Sequence, residues 1–290
     1  MPCRITGFTV IRHAVLMGYP VVEAIRSILP VVDDYIVAVG AGDDATRALI
    51  ESIDDPKVRI VDTIWDLSAN RGGRVLADKT NEALAMCTGD WCFYLQADEV
   101  VHERDLPAIR EACERHLHDA RVEALLFRYQ HFYGSFDVVA TARNWYRREV
   151  RIVRNRIGMR SIGDAQSFRA GDRKPRVMSS GATINHYGWV KSPERMERKQ
   201  SLFSRWYDGP DAGLHPDPTW QFRQLYGLQR YQGDHPAVMR ALIEQQDWQF
   251  RPRFAPRDWK ARDWKNAISA VLEAASGYRV GERKEYVLLP

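Results

Sequence analysis

Short apolar runs alternate with helical segments over the first 120 residues, and this alternation limits the folds open to the chain. The run Tyr35–Val39 is apolar throughout, as expected of a parallel strand that is covered on both faces. Repeated strand–helix units predict a doubly wound, mostly parallel sheet with right-handed crossovers, and hence an α/β fold. The predicted elements are strands over 5–11, 35–39, 58–61 and 91–96, and helices over 21–29, 45–53, 76–87 and 106–116.

The fourth predicted strand is followed directly by two carboxylates. The residues from Trp91 to Gln96 are aromatic and apolar, and the run then breaks at Asp98 and Glu99. Open α/β sheets bind their ligands beyond the carboxyl ends of their strands. Asp98 and Glu99 are therefore the first candidates for chemistry in this chain.

The pattern changes twice after residue 120. The ranges 122–133 and 149–153 read as strands and 182–186 as a short strand, so this part is β-rich and no longer strand–helix–strand. From Pro193 the chain becomes helical and polar, with helices predicted over 236–245 and 259–275. We predict an α/β half over 1–120, a β-rich half of the same domain over 121–191, and a helical C-terminal extension over 192–290.

Composition is that of an ordinary globular protein, with a bias toward arginine. The 42 basic residues comprise 34 Arg and 8 Lys, against 38 acidic residues, for a net charge of +4. Arginine favours planar contacts to phosphate or carboxylate, so the bias is compatible with an anionic ligand, although GC-rich coding explains it equally well. The small net charge and the lack of a helix–turn–helix, zinc or RNP pattern argue against a nucleic-acid partner. Four scattered cysteines without a CxxC pair favour a reducing, cytoplasmic setting.

An ordered series of motifs runs through the first half of the chain. A Gly42-Asp43-Asp44 turn follows the second strand, Thr80-Asn81-Glu82-Ala83-Leu84 lies on a helix, and Gly89-Asp90-Trp91 leads to Gln96-Ala97-Asp98-Glu99. Over residues 1 to 190 this series resembles the family 2 glycosyltransferases of the GT-A fold. The resemblance implies a GT-A-like architecture and an inverting transferase of the hexosyltransferase type. Its donor would be a nucleotide-diphosphate sugar of UDP or GDP type, and its acceptor a glycan, such as a surface polysaccharide, or a lipid-linked saccharide.

The resemblance also implies a metal site. In the family the strand-end carboxylates form a DxD-type motif that holds Mn²⁺ or Mg²⁺ and, through it, the donor diphosphate. Asp98 matches the direct metal ligand, whereas Gln96 replaces the first aspartate and can bond a ribose hydroxyl or a metal-bound water. His186 matches a position where several GT-A enzymes supply a histidine to the metal.

The remaining candidate residues also come from the resemblance. Asp43 and Asp44 match the region that contacts the nucleoside, and Arg74 and Asn81 match groups near the nucleotide; helix capping, a solvated charge and a packing hydrogen bond are their structural alternatives. Asp164 matches the carboxylate that acts as catalytic base on the acceptor hydroxyl. Glu149 is a reserve for that role, although its alternation with neighbouring arginines favours an ion pair.

Two other functions remain open from the sequence alone. A nucleotidyltransferase also uses a doubly wound sheet with metal-bound carboxylates, although the Gly-rich basic loop expected after the first strand is missing from Ile11-Arg12-His13-Ala14. A non-catalytic nucleotide- or nucleic-acid-binding protein would fit the Gln96 replacement and the Arg-rich stretch 143–176. We expect no transmembrane segment, and leave open contact with the inner face of a membrane.

Overall fold

The structure is a computed structural model that describes residues 2–66, 72–208, 222–223, 225–252, 259–277, 279, 281–282 and 284–290. Its helices are α1 (Ala14–Met17), α2 (Val21–Ile28), α3 (Thr46–Glu51), α4 (Arg74–Ala85), α5 (Leu106–Arg115), α6 (Pro193–Tyr207), α7 (Arg240–Glu244) and α8 (Ala261–Ser276). Its strands are β1 (Ile5–Ile11), β2 (Asp34–Gly40), β3 (Val58–Thr63), β4 (Trp91–Tyr94), β5 (Glu99–Val101), β6 (Ala124–Tyr133), β7 (Ser135–Ala140), β8 (Arg148–Arg154), β9 (Met159–Ile162), β10 (Ser167–Ala170), β11 (Arg176–Trp189), β12 (Leu228–Arg230) and β13 (Val287–Leu288).

The first half of the sheet is parallel, with the strand order β3-β2-β1-β4. β1 is buried along its whole length and β2 along all but its first residue, because helices cover both faces. On one face α2, α3 and α5 pack into a single apolar cluster, and on the other α4 packs against a second cluster that side chains of α6 extend. This arrangement confirms the predicted α/β class and its doubly wound sheet.

The second half of the sheet is mostly antiparallel and begins at β4. β8 pairs antiparallel with β4, and β6, β7 and β12 continue the sheet outward. β11 lies parallel to β6 and also pairs with β5, in a register that sets His186 opposite Glu99. The topology therefore brings the residues that follow β4 next to the end of β11, although the two segments are far apart in the sequence.

Several elements differ from the sequence predictions. The strand predicted over 91–96 ends at Tyr94, and the short strand predicted over 182–186 is the second half of the 14-residue β11. The first half of β11 contains polar, partly exposed residues, so a search for apolar runs did not identify it as a strand. The helix predicted to run to Cys87 ends at Ala85, and β5, β7, β9 and β10 were not predicted. β5, β9 and β10 have only three or four residues each, too few for a clear alternating pattern.

Residues 192–290 are mainly helical in the part that the structure describes, as predicted. They also add two short strands to the sheet, because β12 pairs with β7 and β13 with β11. Within the described ranges, no helix combines the length and the apolar character needed to cross a membrane.

Candidate functional site

A cavity of about 220 Å³ lies at the carboxyl ends of β1 and β4. The residues after β4, the loop between β9 and β10, the end of β11 and one side of α6 all contribute to its wall. Four of the candidate residues from the sequence line it together: Gln96, Asp98, Asp164 and His186. The cavity occupies the place where open α/β sheets bind their ligands.

Asp98 is the buried anion of this cavity. Its residue is 8% exposed, and its Oδ2 lies 3.6 Å from His186 Nε2 and 3.7 Å from Lys199 Nζ. Burial alone would raise the pKa of Asp98, but His186, Lys199 and Lys191 together hold that pKa well below its ordinary value. Asp98 is therefore a carboxylate at neutral pH and a ready ligand for a cation.

A chain of hydrogen bonds orients the His186 ring toward Asp98. His131 Nε2 lies 2.7 Å from the Tyr146 carbonyl oxygen, which can only accept, so this nitrogen carries a proton. Burial, with His186 close by, lowers the pKa of His131 to about 3, so its Nδ1 is an acceptor for His186 Nδ1–H at 3.1 Å. This bond turns the other ring nitrogen of His186, Nε2, toward Asp98 Oδ2 at 3.6 Å. Hydrogen-bonded histidines of this kind are typical of metal sites.

The space beside this pair suits one cation. Gly188 lies directly next to it, and a Cβ at that position would collide with Asp98 Oδ2 and lie 2.8 Å from His186 Nε2. An oxygen and an imidazole nitrogen are a ligand pair for Mn²⁺, and Mg²⁺ usually takes few protein ligands together with phosphate oxygens and water. In the described residues no group of three His, Cys, Asp or Glu side chains forms a complete metal cage. Asp98 and His186 thus fit a metal whose other ligands come from a bound phosphate.

Two lysines add positive charge at the same place, Lys191 buried and Lys199 with a side chain that is 12% exposed. Lys199 donates a hydrogen bond to the Gly188 carbonyl oxygen at 2.8 Å, and Lys191 donates one to the Gly18 carbonyl oxygen at 2.8 Å. Both ammonium groups face the Tyr19 ring, at 4.7 Å for Lys191 and 4.9 Å for Lys199. Burial lowers the pKa of both lysines, and the nearby Asp98 carboxylate opposes that shift in each of them. The cavity therefore has a cationic wall suited to an anionic ligand.

Glu99 is fully buried and has a structural role beside Asp98. Arg151 holds it with two hydrogen bonds, Nε to Oε2 at 2.8 Å and Nη2 to Oε1 at 2.7 Å, and Tyr129 OH donates to Oε1 at 2.7 Å. Arg151 also donates to the carbonyl oxygen of Gln166 at 2.9 Å. This pair connects the end of β4 to the loop that carries Asp164.

That loop, residues 163–166, is held in a tight conformation. Gly163 and Ala165 both have positive φ, at 60° and 63°, and Ala165 is a position where an L side chain is strained. Gln96 Nε2 donates to the Ala165 carbonyl oxygen at 3.3 Å, and Tyr207 OH donates to Asp164 Oδ2 at 3.0 Å. Gln96 thus contacts the backbone of the Asp164 loop.

A second cavity of about 450 Å³ adjoins the first across Tyr146, Asp164 and Gln166. Glu149 lines it and is only 2% exposed. Its Oε1 accepts a hydrogen bond from Gln166 Nε2 at 3.0 Å, whereas its Oε2 has no hydrogen-bond partner among the described residues. Burial raises the pKa of Glu149 to about 7. The expected ion pair between Glu149 and its neighbours Arg148 and Arg151 is wrong, because Arg151 pairs with Glu99 and Glu149 bonds Gln166.

The other candidate nucleotide contacts lie outside the lining of the first cavity. Asp43 is 2.9 Å from His13 Nε2, and Asp44 accepts the backbone N–H groups of Leu16 and Thr46 at 3.0 and 3.1 Å. Arg74 is exposed at the start of α4, 3.8 Å from Asp78. Asn81 is occupied by the Ser161 backbone, accepting its N–H at 2.7 Å and donating to its carbonyl oxygen at 3.0 Å. These positions match the capping, surface and packing alternatives, and their nucleotide contacts stay predictions.

Sequence reasoning missed the contribution of α6. Lys199, Phe203 and Tyr207 recur every fourth residue and line the first cavity from one side of this helix. The spacing of 4 is visible in the sequence, but only the fold shows that this side of α6 lies over the end of β4. The C-terminal extension is therefore part of the site wall.

Comparisons with known proteins give only distant similarities. No family model matches the chain, and no curated protein sequence does. TarS from S. aureus is similar at 12% sequence identity and a TM-score of 0.40, over 69% of this chain and 39% of TarS. A structure of TarS 1-349 in complex with UDP-GlcNAc is similar at 17% identity and a TM-score of 0.35, over 45% of this chain and 36% of that one. A glucosyl-3-phosphoglycerate synthase from Mycobacterium tuberculosis, in complex with Mn²⁺, UDP and phosphoglyceric acid, is similar at 16% and 0.32, over 44% of this chain and 43% of that protein. The matches span less than half of these proteins' length, and similarities this distant carry no argument about function.

Proposed function

We propose that the chain is an inverting glycosyltransferase that moves a sugar from a nucleotide-diphosphate donor, of UDP or GDP type, to a glycan or lipid-linked acceptor. One observation carries the proposal: Asp98 and the Nε2 of His186 lie 3.6 Å apart at the carboxyl end of β4, in a cavity that Asp164 also lines. A cation site and a second carboxylate in one cavity are the two groups that such a transfer needs.

Asp98 and His186 would hold Mn²⁺ or Mg²⁺, with the donor diphosphate completing the ligand set. When bound, the metal neutralises the charge that builds up on the diphosphate as it leaves the sugar. Lys199 adds an ammonium group 3.7 Å from Asp98, so the chain itself supplies part of that positive charge. Glycine at position 188 allows the pair to lie there, because a Cβ would collide with the Asp98 carboxylate.

Asp164 is the proposed base, and the second cavity is the proposed acceptor site. The cavity opens onto Asp164 and includes Trp145, Tyr146 and Tyr286, aromatic surfaces of the kind that sugar rings stack on. The acceptor O–H proton passes to Asp164 as the acceptor oxygen bonds to the anomeric carbon, and the bond from that carbon to the diphosphate oxygen breaks on the opposite face. Tyr207 and the strained loop fix the Asp164 carboxylate for this transfer.

The nucleoside end of the donor is proposed to lie along the loop after β2, against Asp43 and Asp44. Gln96 would bond a ribose hydroxyl or a metal-bound water, with Arg74 and Asn81 farther out. On this proposal residues 1–120 bind the nucleotide sugar, 121–191 supply the acceptor side and base, and 192–290 close the site. We place the enzyme in the cytoplasm, at or near the inner face of a membrane.

Replacing Asp164 by asparagine tests the proposed base. Donor hydrolysis or transfer, measured with UDP-glucose, UDP-GlcNAc and GDP-mannose in Mn²⁺, is expected to fall by about a hundredfold or more in Asp164→Asn because the proton acceptor is lost. UDP binding should stay close to that of the wild type, and the exposed Asp172→Asn should behave as the wild type. An Asp164→Asn variant with full activity would remove Asp164 from the mechanism.

A further inference from the structure

Helix α8 packs on the protein with its polar side inward, whereas an ordinary amphipathic helix packs with its apolar side inward. Its polar residues Asp263, Asn266 and Ser269 are 2–4% exposed and face the protein. Its large apolar residues face outward instead: Trp264 is 50% exposed, Ile268 61%, Val271 69% and Leu272 52%. A helix of a globular protein normally buries its apolar side, so this exposed side calls for a partner.

Specific polar contacts fix this orientation. Asp263 accepts hydrogen bonds from the N–H groups of Tyr226 and Lys260 and from Arg223, at 3.0–3.2 Å. Asn266 accepts from Arg143 Nε at 3.2 Å, and Glu273 accepts from Arg147 Nη1 at 2.9 Å. Turning the helix to bury its apolar side would break these bonds and set apolar side chains against Arg143, Arg223 and the Tyr226 N–H.

The exposed apolar side forms a continuous stripe. Trp264, Ile268, Val271 and Leu272 follow the i, i+4, i+7, i+8 spacing of one helix side. The Trp264 ring packs edge-on against Trp259 at a centroid distance of 5.1 Å, so an aromatic pair lies at the start of the stripe. Aromatic rings of this kind are enriched where proteins meet the interface of a lipid bilayer.

Within residues 259–277 the exposed charged side chains have one sign. Residues 259–277 are all described, and their exposed charged side chains are Lys260, Arg262 and Lys265. The two acidic residues of α8 do not offset them: Asp263 is buried, and Glu273 pairs with Arg147. An apolar stripe beside basic side chains is complementary to a surface that is apolar within and anionic at its boundary.

We infer that the outward side of α8, defined by Trp264, Ile268, Val271 and Leu272 with Lys260 and Lys265 beside it, docks the protein on an anionic lipid surface. The helix lies in the plane of that surface, with the stripe in the acyl boundary and the basic groups at the phosphates. A second copy of the chain fits less well, because a stable dimer buries about 800 Å² on each partner and four side chains of one helix supply only part of that area. The inference does not depend on the proposed transfer activity.

Vesicle co-sedimentation of the full chain tests the inference. Vesicles of phosphatidylcholine with about a third phosphatidylglycerol should bind the protein, pure phosphatidylcholine should bind it at least tenfold more weakly, and added salt should release it. Ile268→Glu with Val271→Glu should reduce binding to the anionic vesicles at least tenfold. Lys260→Gln with Lys265→Gln should reduce it severalfold, with a weaker response to salt.

Controls separate docking from folding. Ile157→Glu changes an exposed isoleucine between β8 and β9, 40% exposed and outside α8, and should bind vesicles as the wild type does. Circular dichroism and the melting temperature of each α8 variant should match the wild type, because the changed side chains point outward. The inference is overturned if folded Ile268→Glu/Val271→Glu binds anionic vesicles undiminished. A concentration-dependent dimer in sedimentation velocity that the same variant dissociates would overturn it in favour of a second copy.

Discussion

Single side chains set the electrostatics of the site, and Glu149 is the clearest case. It is a buried carboxyl with one oxygen bonded to Gln166, and among the described residues its other oxygen has no partner. Burial raises its pKa from the ordinary value of 4.5 to about 7. The folded protein therefore holds a proton on Glu149 that the unfolded chain releases between these two pH values.

The pH dependence of stability follows from that shift. The folded state binds the extra proton, so Glu149 contributes to the free energy of unfolding fully below pH 4.5. This contribution, about 3 kcal/mol in all, is lost as the pH rises through about 7. Glu149→Gln keeps the bond to Gln166 and removes the titration, so the variant should gain stability relative to the wild type between pH 5 and 8. Urea unfolding at both pH values measures the difference. The exposed Glu114→Gln is the control, and an equal pH dependence in Glu149→Gln and wild type would contradict the prediction.

Functional residues at the ends of strands could be predicted from the sequence one by one. Contacts between side chains of different strands could not. Asp98 could be placed because a carboxylate directly after a buried strand has one location in a doubly wound sheet. Glu149 was expected to pair with Arg148 and Arg151, its neighbours on one strand, whereas the fold brings Arg151 to Glu99. Alternation along one strand shows which side chains lie on the same face of the sheet. It does not show which residues of other elements pack against that face.

Among the secondary-structure elements, α6 supplies a basic and two aromatic side chains to the wall of the first cavity. Lys199, Phe203 and Tyr207 reach the cavity from this helix, and the Lys199 ammonium lies 3.7 Å from Asp98 Oδ2. A pattern of one residue in four predicts a helix and one of its sides. The surface that this side covers depends on how the helix returns to the sheet, which sequence alone does not give.

The position of Lys199 predicts competition with a metal. In the absence of nucleotide its ammonium opposes a second cation at Asp98, so Lys199→Gln should bind Mn²⁺ about tenfold more tightly than the wild type. With Mn²⁺ present the variant should bind UDP more weakly, because one positive charge near the diphosphate is gone. Isothermal titration measures both affinities. Lys79→Gln, a lysine paired with Glu82 on α4, is the matched control, and unchanged Mn²⁺ affinity in Lys199→Gln would refute the competition.

At the scale of the whole molecule, the buried pair of Glu99 and Arg151 joins the two halves of the sheet. Glu99 begins β5 beside the end of the parallel half, Arg151 lies on β8 in the antiparallel half, and both are 0% exposed. Both halves were predictable from the sequence, from the strand–helix alternation and from the later β-rich pattern. The connection between them was not, because it is made by side chains 52 residues apart.

Breaking this pair on one side should destabilise the whole fold. Arg151→Met leaves the Glu99 charge buried without its partner and should lower the free energy of unfolding by about 3–5 kcal/mol. The double variant Arg151→Met/Glu99→Gln removes the charge as well and should recover a large part of the loss. Arg148→Met, an exposed arginine on the same strand, should stay within about 1 kcal/mol of the wild type. Urea midpoints give these values, and a single Arg151→Met as stable as the wild type would contradict the structural role.

The central claim is that Asp98 and His186 anchor a metal that holds a nucleotide diphosphate. Titration of UDP with and without Mn²⁺ tests it most directly, using the wild type, Asp98→Ala and the remote Asp172→Ala. We predict UDP binding that requires Mn²⁺ in the wild type and in Asp172→Ala, and that weakens at least about tenfold in Asp98→Ala. UDP binding that is equally tight without metal, or undiminished in Asp98→Ala, would contradict the account.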